Sequence, residues 1–321
     1  MKSTIKCLGA ASLALMSAAA APPPGSSSVD WAYPTGVAPA PPAGWSTTKR
    51  LTLPGAAASF TEAQTRDRFH AVDWRPSSHP AMPKVVASGR PPGVLACGFC
   101  HLPGGEGRPE NASLAGLPRD YIVSQVRQFA TGARTSVVHG WGPSSLMSDL
   151  SRHATPSETA AAADYFSGLK FTSRVKVVET ARIAGPAATN YLLVAAVGKP
   201  SNALGARIVE GPSSIERWER RDSLVSYTAF VPIGSLKRGA ALSRGAAGTQ
   251  VCATCHGEGL RGGGVGPPLA GRSPSYLFRQ LYAFKTGARA GPDTVPMQSV
   301  VVALTPSDMI ALAAFAGSRR P

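Results

Sequence analysis

Two kinds of hydrophobic pattern divide the chain. The segment "RDYIVSQVRQFATGAR", residues 119–134, places Tyr121, Gln125 and Phe129 at i, i+4 spacing on one face, and Gly132 stands where a helix would stop. The segment "SPSYLFRQLYAFKTGAR", 273–289, does the same. "TPSETAAAADYFSG" (155–168) and "TPSDMIALAAFAGS" (305–318) each begin with a Thr cap and a Pro at the first helical position. Upstream, Ser59 and Glu62 have the spacing of a capping box ahead of a helix to about Ala71. Between residues 171 and 234 the period changes. Short β-branched runs ("RVKVVETARI", "YLLVAAVG", "ARIVEG", "SLVSYTAFVP") are separated by Gly, Pro and Asn, and predict a small antiparallel insert that acts as a spacer or partner-docking element.

The helical segments are two copies of one unit. Cys97/Cys252, Leu114-Ala115-Gly116/Leu269-Ala270-Gly271, Tyr121/Tyr276, Gln125/Gln280, Phe129/Phe284 and the string "TGAR" (131–134 and 286–289) all lie 155 residues apart. From Thr155/Thr305 onward the offset is 150, so one five-residue gap aligns the copies. The expected fold class is therefore mainly α, with two helical domains joined by a small antiparallel β insert. The expected boundaries are 59–170 for the first domain, 171–234 for the insert and 235–321 for the second domain.

The N-terminus has a different character. Lys2 and Lys6 precede a short apolar core and the small residues "SAAAA", the pattern of an export signal over 1–21. That core is too short to span a membrane, and no other apolar run approaches spanning length. Residues 22–58 are rich in Pro, Gly, Ser and Ala and read as an extended, partly disordered arm. The mature chain would be a soluble, periplasmic protein. Its formal net charge is +15, unevenly spread: residues 235–321 carry +7 and residues 60–170 only +2. The basic second domain suggests a docking face for acidic redox partners. Nucleic acid is a poor candidate, because no dense Lys/Arg run or basic strip interleaved with aromatics occurs.

Apart from Cys7 in the leader, the cysteines lie only in "CGFCH" (97–101) and "CATCH" (252–256). A structural zinc site needs four ligands close together, and a redox dithiol would open a helix after a strand. Neither fits two separated pairs, each followed at once by His. Cys-x-x-Cys-His is the attachment signature of c-type haem: one helical turn brings both thiols to one side for thioether bonds to the vinyl groups, and the His faces the iron. Met147 and Met297, each eight residues before a "TP" helix, are matched candidates for the sixth ligand. His139, in the longer first loop, is a weaker candidate for the first iron. His153, His70, His79 and Met82 have no matching ligand type in the second copy. Met309 reads as core, and the glycine-rich stretch 257–271 as a loop that lets backbone approach a porphyrin closely.

These residues resemble a class I cytochrome c in each half, and together a two-domain dihaem cytochrome c of the bacterial periplasm. The resemblance covers about half the chain. It implies two covalently bound haem c groups, one held by Cys97, Cys100, His101 and Met147 and the other by Cys252, Cys255, His256 and Met297, with His101, Met147, His256 and Met297 on the irons. In that family a proline two residues before the "LAG" leucine commonly offers its carbonyl to the haem His. Pro267 fits this, but Ala112 stands there in the first copy. The implied function is single-electron transfer between redox proteins. The alternatives are a cytochrome subunit of a dehydrogenase or oxidase complex, a dihaem peroxidase using an open site at the first haem, and a haem-based sensor.

Overall fold

The structure, a computed structural model, describes residues 29–36, 46–196 and 198–321. The leader predicted over 1–21 lies outside the described residues, as do residues 22–28 and 37–45 of the proline-rich arm. Where the arm is described it is packed rather than merely extended. Ala32 and Tyr33 are buried in the core of the second half, beside Trp141 and Phe278. The Ala32 carbonyl accepts from Arg279 at 3.0 Å and the Pro34 carbonyl from Trp141 Nε1 at 3.2 Å. Aromatic burial and buried donors in need of acceptors hold this piece down.

The first half begins with β1 (Arg50–Leu51) paired to β2 (Phe60–Thr61), then α1 (Glu62–Arg66) and α2 (Lys84–Ala87). The capping box expected at Ser59 and Glu62 is instead formed by Thr61 and Gln64. The helix also stops at Arg66 rather than near Ala71. Asp67 turns extended, and its carboxylate takes the Phe69 N–H at 2.9 Å, a side-chain bond that competes with continued helix. The motif helix α3 (Cys97–His101) follows, then α4 (Arg119–Thr131), α5 (Gly142–His153) and α6 (Pro156–Ser167). Helix α4 ends on Gly132 in the left-handed region (φ 76°), and α6 starts with the Thr155–Glu158 capping box. Val85, Val86, Val94, Ile122, Ala163 and Phe166 form its core.

The insert contains β3 (Val175–Glu179), β4 (Arg182–Ala184), β5 (Pro186–Thr189), β6 (Leu192–Ala195), β7 (Ser201–Ala203), β8 (Val209–Pro212), α7 (Ile215–Glu219) and β9 (Tyr227–Val231). It is not wholly antiparallel. Strands β4–β7, β5–β6 and β8–β9 pair antiparallel, but β3 runs parallel to β9, with Val175 opposite Tyr227. The long connection between β3 and β9 is what permits a parallel pairing. Ala229 and Val231 of β9 face the core of the second half, which makes the insert part of that domain's wall.

The second half comprises α8 (Ser235–Leu242), α9 (Ala253–His256), α10 (Pro274–Lys285), α11 (Val295–Val301) and α12 (Pro306–Ser318). Helices α8 and α12 cross closely at Gly239, where a Cβ would lie 2.0 Å from the Ala311 carbonyl oxygen. Phe278, Val301, Leu304, Met309 and Ala314 fill this core. The expected assignment of Met309 to the core agrees with its complete burial. Among the described residues no single helix is long and apolar enough to cross a membrane.

The sequence repeat is also a backbone repeat. Gly107 N–H bonds the His101 carbonyl as Gly262 N–H bonds that of His256; Leu114 N–H bonds Gly105 as Leu269 N–H bonds Leu260. The positive φ angles recur in the same register: 65° at Leu102 and 76° at Gly257, 68° at Gly105 and 64° at Leu260, 76° at both Gly132 and Gly287.

The copies meet about an approximate two-fold axis, along the "TGAR" strings. Thr135 N–H bonds the Ala288 carbonyl at 2.7 Å and Ala290 N–H bonds that of Ala133 at 2.8 Å. The side chains then cross over. Arg134 donates to Gln125 Oε1 of its own half (2.6 Å) and to Gln280 Oε1 (2.8 Å) and Tyr276 OH (3.2 Å) of the other. Arg289 reciprocates, to Gln280 (3.1 Å), Gln125 (2.8 Å) and Tyr121 (3.4 Å). The guanidinium groups also stack, Arg134 on Phe129 and Arg289 on Phe284. Arg272, just after the second "LAG", reaches the Ser113 and Ala115 carbonyls at the first.

Candidate functional site

Each pentapeptide coils through one turn and ends on an abrupt change of direction. The residue after each His sits at positive φ with extended ψ: Leu102 at 65°, 156° and Gly257 at 76°, 169°. This exit turns the chain back over the imidazole. His101 and His256 are both buried, each 7 % exposed. His256 Nδ1 donates to the Pro267 carbonyl at 2.7 Å, and His101 Nδ1 donates to the Ala112 carbonyl at 2.8 Å. The missing proline at 112 therefore costs the first site nothing in geometry, since the backbone supplies the same acceptor. Burial pulls both imidazoles below the usual histidine range. Each ring is thus neutral, with its orientation fixed by Nδ1–H and a free lone pair on Nε2, the state a metal ligand requires.

The thiols are poor candidates for other chemistry. Burial pushes the Cys97 thiol up to about 12, and also raises Cys100 and Cys252. A cysteine that reacts as a free nucleophile needs the opposite, a stabilised thiolate. Among the described residues no cysteine is disulfide-bonded, and no group of three or more His, Cys, Asp or Glu side chains could hold a metal ion.

Two cavities adjoin His101, and both are lined by Leu114, Ile122, Val126 and Met147 as well. One continues to Cys97, Cys100 and Phe166; the other opens toward Arg134, Arg279, Arg289 and Tyr276. The result is an apolar slot with an imidazole and a thioether on its walls, two thiols at one edge and guanidinium groups at the other. This donor set fits haem, a flat apolar macrocycle carrying two vinyl groups and two carboxylates.

Met147 lies within helix α5, and Met297 within α11. Met297 packs together with Cys252 against the second core. Glycines close the second loop over its motif: a Cβ at Gly266 would stand 2.8 Å from the His256 ring, and one at Gly264 2.3 Å from the Cys255 carbonyl. The weaker candidates fall elsewhere. His139 is exposed on a turn and lines neither cavity. His153 is exposed and bonds the Asp149 carbonyl, and His70 pairs with Asp67. His79 is held by Asp73 and Tyr165, and Met82 packs in the first core.

The interfacial arginines were missed in the sequence. Their signal was there: Tyr and Gln recur with Phe on a face read as core, and recurring polar groups on a buried face imply a recurring polar partner.

Comparison with known proteins agrees with this chemistry. The Cytochrome c family model matches residues 238–318. The thiosulfate dehydrogenase electron acceptor of Thiomonas intermedia (strain K12) is 28% identical over 228 residues, 70% of this chain and 78% of that protein. Cytochrome c4 of Azotobacter vinelandii is 28% identical over 145 residues, 42% of this chain and 67% of that one. Among solved structures, thiosulfate dehydrogenase from Marichromatium purpuratum aligns at 26% identity with a TM-score of 0.44, over 71% of this chain and 37% of its own. Residues 238–318 thus match the cytochrome c family, and up to 70% of the chain aligns with proteins named as an electron acceptor and a cytochrome c4.

Proposed function

We propose that this chain is an exported periplasmic dihaem cytochrome c that passes single electrons between redox proteins through two His/Met-ligated haems. Bound haem supplies the one-electron ferric/ferrous couple. The protein's residues do the rest. Cys97, Cys100, Cys252 and Cys255 would anchor the two groups, with His101 and Met147 across one iron and His256 and Met297 across the other. The bond from each Nδ1–H to a backbone carbonyl holds its ring in place, so ligation need not rearrange on reduction. Arg134, Arg279 and Arg289 line the slot as counter-charges for the carboxylates. The observation that carries this reading is that His101, Cys97, Cys100 and Met147 all line one apolar cavity.

A more specific role follows from the relative in Thiomonas intermedia, which is an electron acceptor of a thiosulfate dehydrogenase. On that reading the chain is the cytochrome partner of an oxidoreductase, and its +7 second domain docks on an acidic face through weak, salt-sensitive encounters.

The test is spectroscopic. The oxidised protein should show a Met-to-iron charge-transfer band from each haem and no turnover with peroxide. Met147→Ala and Met297→Ala should each remove one band, lower that haem's potential and admit external ligands. Rapid peroxide turnover by the unmodified protein would overturn the carrier reading. An unchanged potential would show that the substituted Met is not the ligand.

A further inference from the structure

The two motifs are not equally enclosed. In the second, Val251, Ala253 and Thr254 are exposed, and Val265 stands out beside Cys255. In the first, Gly98 and Phe99 are buried. Leu53, Val72 and Trp74 of the preceding segment cover Phe99. The insert completes the cover from the other side. Trp74 Nε1 donates to the Arg220 carbonyl at 2.8 Å, Arg220 pairs with Glu62 at 2.9 Å, and Asp222 pairs with Arg75 at 2.7 Å.

Between those two anchors lies Arg221, at φ 57°. Its guanidinium carbon lies over the Phe99 ring, 3.3 Å from the centroid, and Nη1 donates to the Phe99 carbonyl at 2.9 Å. Phe99 is the residue between the two motif cysteines. Nε of Arg221 is buried without a partner. Among the described residues no carboxylate lies within ion-pair distance of Arg221, whereas its neighbours are compensated. Asp222 is shared by Arg75 and Arg217, and Arg108 is paired with Glu110 at 3.1 Å. Burial lowers Arg221 to about 9, so it remains protonated at neutral pH. The residue matching Phe99 in the second copy is Thr254, which is exposed and carries no such cap.

A fixed cation without a direct ion pair in a low-dielectric site favours whichever state of its neighbour is less positive. Reduction adds one electron from the redox partner and lowers the charge at the haem by one; no bond is made or broken and no proton moves. We infer that Arg221, delivered by the insert, raises the reduction potential of the haem held by the first motif relative to the second, so that electrons come to rest in the first half. The inference rests on the dihaem reading above. It gives the β insert a purpose: it is the element that carries this charge to the back of one motif only.

The experiment is a potentiometric titration of the haem-loaded full chain. Haem content is measured first, since fewer than two haems per chain would count against the dihaem reading rather than against Arg221. The two steps are assigned with Met297→Ala, which displaces that of the second haem. In Arg221→Gln the first-haem step should move to lower potential while the second stays in place. In Arg221→Lys, which keeps the charge but loses the guanidinium contact with Phe99, the first-haem step should stay near its original position. A first-haem step that does not move in Arg221→Gln would overturn the inference. So would an equal fall in both variants, because packing rather than charge would then be responsible. Should Arg221→Gln fail to take up haem, Arg221→Lys alone decides: a retained potential supports the charge and a fall rejects it.

Discussion

The crossed arginines at the domain boundary make a quantitative prediction. Gln125 Oε1 and Gln280 Oε1 each accept from both guanidinium groups, Gln125 at 2.6 and 2.8 Å and Gln280 at 2.8 and 3.1 Å. Replacing Arg134 by Met removes one donor from each amide but leaves the other. Three bonds from a charged donor are lost, the longest of them to the Tyr276 hydroxyl, the contact with Phe129 is weakened, and repulsion between two buried cations is relieved. The net cost is about 2–3 kcal/mol, with Arg289→Met similar. The double variant differs in kind. It strands both amide oxygens in a dry interface, each at roughly 1–3 kcal/mol, and gains no further relief of repulsion, since the first substitution already removed it. Its cost should therefore exceed the sum of the single costs by about 2 kcal/mol. Urea unfolding of the haem-loaded chain, followed by haem absorbance and tryptophan fluorescence, gives the four stabilities of the cycle. Simple additivity, or a double variant less damaging than the sum, would refute the shared-acceptor argument.

Other expectations follow from local geometry. Hydrogen bonds from Arg90 hold the Glu158 carboxyl down to about 2, from an ordinary 4.5. Its contribution is therefore present above pH 4.5 and lost as pH falls toward 2. Glu158→Gln should flatten that acid limb and cost about 1 kcal/mol at neutral pH, as read from unfolding midpoints against pH. Gly257→Ala would place a Cβ 1.7 Å from the Gly262 carbonyl oxygen in a backbone region (φ 76°) that disfavours side chains. On the dihaem reading it should roughly halve the haem content measured by a pyridine haemochrome assay, and an unchanged content at wild-type stability would contradict it.

The parts of this fold that could be read in the chain are those with local causes. Pro at the first position and a Thr cap with Glu158 or Asp308 three residues on start α6 and α12 as expected. Gly132 stops α4 by accepting a left-handed backbone. The repeat register, visible from cysteine and "LAG" spacing, survives as matching φ angles and hydrogen bonds. What could not be read depends on distant partners. The parallel pairing of β3 with β9 needs residues fifty apart to meet, and no local pattern encodes direction. Helix α1 is shorter than its pattern predicts, because Thr61 rather than Ser59 caps it and Asp67 prefers the Phe69 N–H to a helical neighbour. Ala112 illustrates the reverse case. A proline was absent where one was expected, yet the interaction concerns a carbonyl, which every residue has.

The cover over the first motif also bears on assembly. Thioether formation requires both thiols and the vinyl groups of the macrocycle to be reachable by whatever catalyses the joining. Gly98 lies so close to Val86 that a Cβ there would stand 2.8 Å from its carbonyl oxygen, and Trp74 is 2 % exposed over the same face. On the dihaem reading, the preceding segment and the insert would pack over the back of the first motif as its cofactor is attached, while Cys97 and Cys100 still face the cavity. The second motif instead has Ala253 and Thr254 at the surface. The halves of one duplicated unit thus differ in what completes them: the cover of the first motif includes residues more than a hundred positions further along the chain, and the second motif has no counterpart to it among the described residues.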